Sequence, residues 1–209
     1  MTLETITIPS QTETPQYLLI GLHGWGANAQ DLATLASVLN WNNTQMMFPE
    51  APFDHPQVPH GKMWYDLQQY DEQGLNHSRQ TLSDWLASLE SSTGVPPQRT
   101  FLTGFSQGGA MTLDVGFGFP FAGLCSFSGY LHPQREVNHY SPPTLIIHGI
   151  IHGTEDPVVP ISLAQKARDA LQQQGVDVTY QEFSMQHEIT PEAIETFKQF
   201  VNSVCQARF

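Results

Sequence analysis

The chain has 209 residues, 40% of them hydrophobic and 13% charged, and 8 Lys+Arg against 20 Asp+Glu leave a formal net charge of −12. A chain this acidic argues against nucleic acid, whose affinity comes from cations meeting phosphates, and against anionic membrane surfaces. With 12 Phe, 4 Trp and 6 Tyr it is too aromatic to stay disordered, no apolar run approaches the roughly 18 residues of a membrane span, and the length suits one domain over residues 1–209.

The start, Met1-Thr2-Leu3-Glu4-Thr5-Ile6, lacks the basic and apolar regions of a secretory signal. Residues 17–22 form an apolar run of strand length, which stops at the glycine turn His23-Gly24-Trp25-Gly26. Asn28 is placed to cap a helix reaching about residue 39. A second strand is expected at 45–48. The prolines at 49, 52, 56 and 59, with Gly61, then make a loop that carries Met63-Trp64-Tyr65. Leu82, Trp85, Leu86 and Leu89 share one face of a helix over about 76–89. A third strand spans 99–105, with a helix over about 107–116 behind it. The fourth strand falls at 121–127 and the fifth at 144–148. A helix at 162–174 stops at Gly175, the sixth strand covers 176–183, and Thr190-Pro191 opens a last helix to about 204. Strand–helix alternation of this kind predicts an α/β fold with a mostly parallel central sheet.

Residues 146–149 and 150–153 both read Ile-Ile-His-Gly. Four residues are too few for a structural repeat. An even insertion keeps a strand's facing but adds about 13 Å of length. The expectation is therefore a bulge or excursion near Gly149.

Three segments carry chemistry. Gly104-Phe105-Ser106-Gln107-Gly108 matches Gly-x-Ser-x-Gly between a strand and a helix. That context puts a serine on a strained turn, with small flanks and its hydroxyl above the sheet edge. Ser106 is the candidate nucleophile, and the N–H of Gln107 points toward a developing oxyanion. A serine needs a base, and in this architecture acid and then histidine follow it in the chain. Asp156, in Gly153-Thr154-Glu155-Asp156-Pro157, follows the fifth strand, and His187 lies between the sixth strand and the last helix. The other histidines at 55, 60, 77, 132 and 139 lie in polar stretches and are expected to be solvated; His148 and His152 precede the acid and break the order. Trp25 N–H, between two glycines, is the candidate second oxyanion donor. Phe53, Met63 and Trp64 are the candidate lining of an open substrate groove, with Phe117 and Phe119 near it.

Together, Leu22-His23-Gly24-x-Gly26, the Ser106 motif, Gly153-Thr154-Glu155-Asp156-Pro157-Val158-Val159-Pro160 and His187-Glu188 resemble the phospholipase/carboxylesterase family of α/β-hydrolases, which includes bacterial carboxylesterases, lysophospholipases and acyl-protein thioesterases. Trp64-Tyr65-Asp66 fits the family's Trp-aromatic-Asp segment. The resemblance spans about residues 17–204. It implies an α/β-hydrolase fold without a separate lid domain and a serine esterase with Ser106, Asp156 and His187 as triad. Trp25 and Gln107 are then the oxyanion donors, and the substrate is a small acyl ester, lysophospholipid or thioester. It also allows a homodimer. The chain departs from the family pattern at Ala27-Asn28, where an Asp is usual, and at Gln186, where a glycine is usual.

Neither a cofactor nor a metal is expected, because the mechanism needs none and no Cys/His spacing suits zinc. Cys125 and Cys205 sit in apolar contexts and read as buried thiols of a reducing, cytoplasmic compartment. The rival reading is a binding protein on the same fold with vestigial chemistry, motivated by the departures around Asp156 and His187. A third reading keeps catalysis but transfers the acyl group to an alcohol.

Overall fold

The computed structural model describes residues 3–69, 71–132, 142–151 and 154–208. In chain order these form β1 (Thr5–Ile8), β2 (Tyr17–Leu22), α1 (Ala29–Ala33), α2 (Leu35–Leu39), β3 (Thr44–Pro49), β4 (Phe53–Asp54), β5 (Lys62–Met63), α3 (Glu72–Thr93), β6 (Thr100–Phe105), α4 (Gln107–Val115), β7 (Gly123–Phe127), β8 (Thr144–Ile151), β9 (Thr154–Glu155), α5 (Ile161–Gln173), β10 (Val178–Phe183) and α6 (Pro191–Arg208).

The main sheet runs β1-β3-β2-β6-β7-β8-β10. Strands β3, β2, β6, β7, β8 and β10 pair in parallel, and β1 closes one edge antiparallel to β3. Crossover helices must then cover both faces, so the central strands are apolar on both sides. β2 and β6 follow this rule, with Leu18, Leu19, Ile20, Leu22 and Leu102 fully buried and Phe101 nearly so. One apolar cluster joins the sheet to α3, α4 and α5 through Leu82, Trp85, Met111 and Leu171. The other joins it to α1, α2 and α6 through Leu32, Leu39, Phe197 and Val201. The sheet's carboxyl edge, where the loops after β2, β6, β8 and β10 meet, carries the site described below.

The six strands read from the sequence are all present, with shifted ends. The fourth begins at Gly123 instead of 121 and the sixth at Val178 instead of 176. The single helix expected over 28–39 is two short ones. Asn28 caps the first through a reciprocal box with Asp31, and the two meet at Thr34. The Thr34 hydroxyl takes the carbonyl of Asp31 at 2.6 Å, the kind of local side-chain bond that interrupts a helix. α3 is longer than its apolar stripe. Asp71 accepts the N–H of Gly74 at its start, and Gly94, at φ 73°, ends it. Of the two cysteines, Cys125 is buried and Cys205 only half so.

Of the two expected outcomes, the Ile-Ile-His-Gly duplication produces no bulge at Gly149 but an excursion just beyond it. β8 continues in register with β10 as far as the Gly149–Phe183 pair. It then passes the end of its neighbour, and Ile150 and Ile151 pair back on Glu155 and Thr154 of β9. The extra length is taken up as a short antiparallel hairpin of β8 and β9. His152 and Gly153 lie outside the described residues.

Candidate active site

The turn after β6 holds Ser106 at φ 54° and ψ −117°, a backbone region that a residue with a Cβ seldom occupies. Its surroundings enforce the conformation. Ser106 N–H donates to the Phe127 carbonyl at 2.8 Å, and the Ser106 carbonyl accepts from Ala110 at 2.9 Å. Glycines flank it because nothing larger fits. A Cβ on Gly104 would lie 2.2 Å from the Gly108 carbonyl oxygen, and one on Gly108 would lie 2.1 Å from that of Leu22. Every residue of α4 is buried, so the turn rests on a fixed support.

Ser106, His187 and Asp156 come together from three loops. His187 Nε2 lies 2.9 Å from Ser106 Oγ, and His187 Nδ1 lies 2.7 Å from Asp156 Oδ2. The second carboxylate oxygen of Asp156 accepts the N–H groups of Val158 at 2.7 Å and Val159 at 3.1 Å. Burial pushes this carboxyl up, but the His187 bond and the two amides outweigh it and hold its pKa below the ordinary carboxylate value. Asp156 is thus ionised and fixes the Nδ1–H tautomer of His187, leaving Nε2 free to accept the serine proton. The duplication does not displace this acid. His148, from its first copy, is fully buried and donates Nε2–H to the Val159 carbonyl at 2.9 Å. It therefore ties the loop that grips Asp156 to β8. Burial, partly offset by that bond, holds the His148 pKa below its usual value.

The loop after β2 passes beside the serine, since a Cβ on Gly24 would lie 3.4 Å from Ser106 Cβ. β5 clamps it: Gly26 N–H donates to the Lys62 carbonyl at 2.8 Å, and Lys62 N–H to that of Ala27 at 2.7 Å. His23 is buried and braces the same loop. Its Nδ1–H meets the Gly24 carbonyl at 2.8 Å, and its Nε2 accepts from Ala51 N–H at 3.1 Å. Burial keeps this imidazole below its usual pKa, so it stays neutral. The Trp25 ring is half-buried and meets His55 edge-on at 4.1 Å. Gln107 opens α4, where helix geometry leaves its N–H without an internal acceptor.

The groove expectations need correction at Trp64 and Phe117. Phe53 and Met63 are half-buried cross-strand partners in the β4–β5 pair that borders the Trp25 loop. Trp64 is fully buried and lines no open groove. Its indole N–H donates to the His23 carbonyl at 3.0 Å, and its backbone N–H to Gln107 Oε1 at 3.0 Å. Gln107 Nε2 in turn donates to the Tyr65 carbonyl at 2.7 Å. A proline-rich neighbourhood suggested exposure, but these contacts make the segment an internal brace between the Trp25 loop and α4. Phe117 is likewise core.

His55 and His132, expected to be solvated, are both buried. His55 Nδ1 accepts the N–H groups of Gln57 and Val58. His132 Nε2 meets the Tyr65 hydroxyl at 2.9 Å, and that hydroxyl also bonds Tyr130. Arg79 pairs with the buried Asp114 of α4, near His132. Spacing could not have found this polar cluster, because its members come from four separate segments. Among the described residues, no group of three or more His, Cys, Asp or Glu is arranged to hold a metal ion, and no helix is long and apolar enough to cross a membrane.

The chain resembles known proteins in sequence and fold. The chain is 27% identical to the acyl-protein thioesterase 1 of Saccharomyces cerevisiae, over 94% of this chain and 96% of that one. It is 24% identical to a probable SOBER1-like carboxylesterase of Arabidopsis thaliana, over 97% and 84%. The crystal structure of the esterase PE8 superposes with a TM-score of 0.88 at 27% identity, covering 98% of this chain and all of that one. The Bacillus cereus carboxylesterase shares the fold, with a TM-score of 0.81 at 16% identity over 97% and 94%. With a family match that runs across residues 3–205, the chain belongs to the phospholipase/carboxylesterase family and is a hydrolase of the carboxylesterase type.

Proposed function

We infer that the protein is a serine hydrolase of small acyl esters and thioesters, in which Ser106 is the nucleophile, His187 the base and Asp156 its partner. The observation that carries this reading is the unbroken hydrogen-bond chain Ser106 Oγ–His187 Nε2, His187 Nδ1–Asp156 Oδ2, at 2.9 and 2.7 Å. As Ser106 Oγ attacks the acyl carbonyl, its proton passes to His187 Nε2, and Asp156 stabilises the imidazolium. The carbonyl oxygen gains charge and is held by the N–H groups of Trp25 and Gln107. When the tetrahedral intermediate collapses, His187 returns the proton to the departing oxygen or sulfur. Water then gives a proton to His187 and attacks the acyl-serine, and Ser106 leaves with that proton restored. Phe53 and Met63 border the acyl side of the groove. The rival reading of a binding module drew on the duplication ahead of Asp156. It loses that support, because the hairpin leaves Asp156 within hydrogen-bond reach of His187.

Hydrolysis of p-nitrophenyl esters of two to twelve carbons tests the reading, with a fluorophosphonate probe used to label the serine. The expected result is turnover and labelling by the wild type and neither by Ser106→Ala. Wild-type protein that neither turns over nor labels would overturn it, and product transfer to added alcohol in preference to water would make the protein an acyltransferase.

A further inference from the structure

A cavity of about 330 Å³ opens on the His187 side of Ser106, between α1–α2 and the loop before α6. Gly24 and His187, both beside Ser106, are among its lining residues. Ala27, Leu32, Leu35, Phe105 and Ile189 make an apolar wall, and the exposed carboxylates of Asp31 and Glu188 stand on its rim. Resting on the hydrolase reading above, we propose that this cavity receives the leaving group, and that its rim favours cationic or neutral leaving groups over anionic ones.

The assignment of the cavity follows from proton chemistry. The departing oxygen or sulfur must take its proton from His187 Nε2, so the substrate arm lying against His187 is the leaving-group arm. The acyl arm projects from the other side of the same carbonyl carbon. The volume, at the small end of the usual range for ligand pockets, suits a group of several heavy atoms.

The charge preference follows from the lining. No lysine or arginine among the described residues lines the cavity. The ammonium of Lys62, nearby in the fold, is paired with Asp54 at 2.7 Å. His23, at the cavity floor, is buried and neutral, with Nε2 occupied by Ala51 N–H. Glu50 adds a third carboxylate, 4.0 Å from His23. Among the described residues, neither rim carboxylate is bound to a cation. Asp31 accepts from Asn28 N–H, and Glu188 from Gln186 N–H. A cation docked here meets uncompensated negative charge, and an anion is repelled by it. Both rim groups are solvated, so each is worth roughly a two- to threefold change in rate at low salt, or about fivefold together.

Three thioacetates that share one acyl group isolate the leaving-group arm: acetylthiocholine, its neutral carbon isostere S-(3,3-dimethylbutyl) thioacetate, and S-acetyl-3-mercaptopropanesulfonate. The expected kcat/KM order is cation, neutral, anion, with about fivefold between steps at low salt and less in 0.5 M NaCl. In the double variant Asp31→Asn/Glu188→Gln the cation-to-neutral ratio falls toward one. The ratio is taken within each variant, so partial misfolding cancels from it. For the cavity itself, Leu35→Trp should slow 2-naphthyl acetate at least tenfold relative to methyl acetate, and Leu35→Ala should shift that ratio the other way. An active, fluorophosphonate-labelled enzyme that shows a flat charge series, or loses both acetates equally in Leu35→Trp, overturns the leaving-group assignment and leaves the hydrolase reading standing. An enzyme that neither labels nor turns over any thioacetate overturns both.

Discussion

Gln107→Ala tests the internal brace. The Gln107 side chain is fully buried and makes two bonds, accepting from Trp64 N–H at 3.0 Å and donating to the Tyr65 carbonyl at 2.7 Å. Truncation strands a buried amide donor and a buried carbonyl. At about 1–3 kcal/mol for each unsatisfied group, less any solvent admitted to the space, the loss is about 3 kcal/mol. For a chain of this size that lowers Tm by about 6–12 °C. The proposed oxyanion donor at this position is the backbone N–H, which the variant keeps. Activity should therefore fall through misplacement of that N–H, about 10- to 100-fold in kcat with little change in KM, against roughly 10²–10³ for outright removal of a donor. Calorimetry and steady-state kinetics on one preparation read both effects. A Tm within 2 °C of wild type would refute the brace, and a raised KM at unchanged kcat would show that Gln107 serves substrate binding instead of the oxyanion.

Three further expectations follow. Ser106→Gly abolishes turnover yet raises Tm by a few degrees, because glycine adopts φ 54° without strain and releases about 1 kcal/mol net; a lower Tm in a melting curve would show that the turn is unstrained. Asp156→Asn keeps the fold but loses about 10⁴ in kcat by reversing the His187 tautomer, and a loss under 100-fold in an esterase assay would remove Asp156 from that role. His148 is neutral in the fold, with its pKa held down by burial, whereas the unfolded chain takes up a proton near pH 6.5. Its contribution is complete above that value and drains away as pH falls toward the lower folded pKa. Urea titrations at pH 7.5 and 5.5 should then show a smaller acid loss of stability in His148→Gln than in wild type, and an equal loss in both would refute the sign.

The parts of the site set by local chemistry were legible in the amino-acid sequence. The flanking glycines of Ser106 announce a turn that excludes side chains, and the order Ser106, Asp156, His187 along alternating strands and helices places all three at one sheet edge. Asn28 shows its cap by residue type alone. What escaped depends on distant partners. Trp64 looks exposed among prolines, and only its bonds to His23 and Gln107 make it core. His55 and His132 are polar by type and buried by neighbours from other segments. The edge strand Thr5–Ile8 alternates as a strand should but is too short and too exposed to stand out. The duplicated tetrapeptide shows its own extra length, but whether that length bulges or folds back depends on where β10 stops.

The glycine packing behind Ser106 also governs how this enzyme can change. Gly104 and Gly108 admit no Cβ, and one on Gly129, in the loop after β7, would come within 2.3 Å of Ser126 Oγ. Random mutagenesis should leave this block blank, because each single change there collides with backbone or buried side chains that cannot yield. On the proposed leaving-group assignment, variation in substrate choice is thereby channelled to the cavity rim, where Leu35, Ile189 and Glu188 are only partly enclosed or open to solvent. A library aimed at those rim positions samples new selectivities at little cost in folding, while one of equal size spread over the whole chain spends much of its diversity on proteins that never fold.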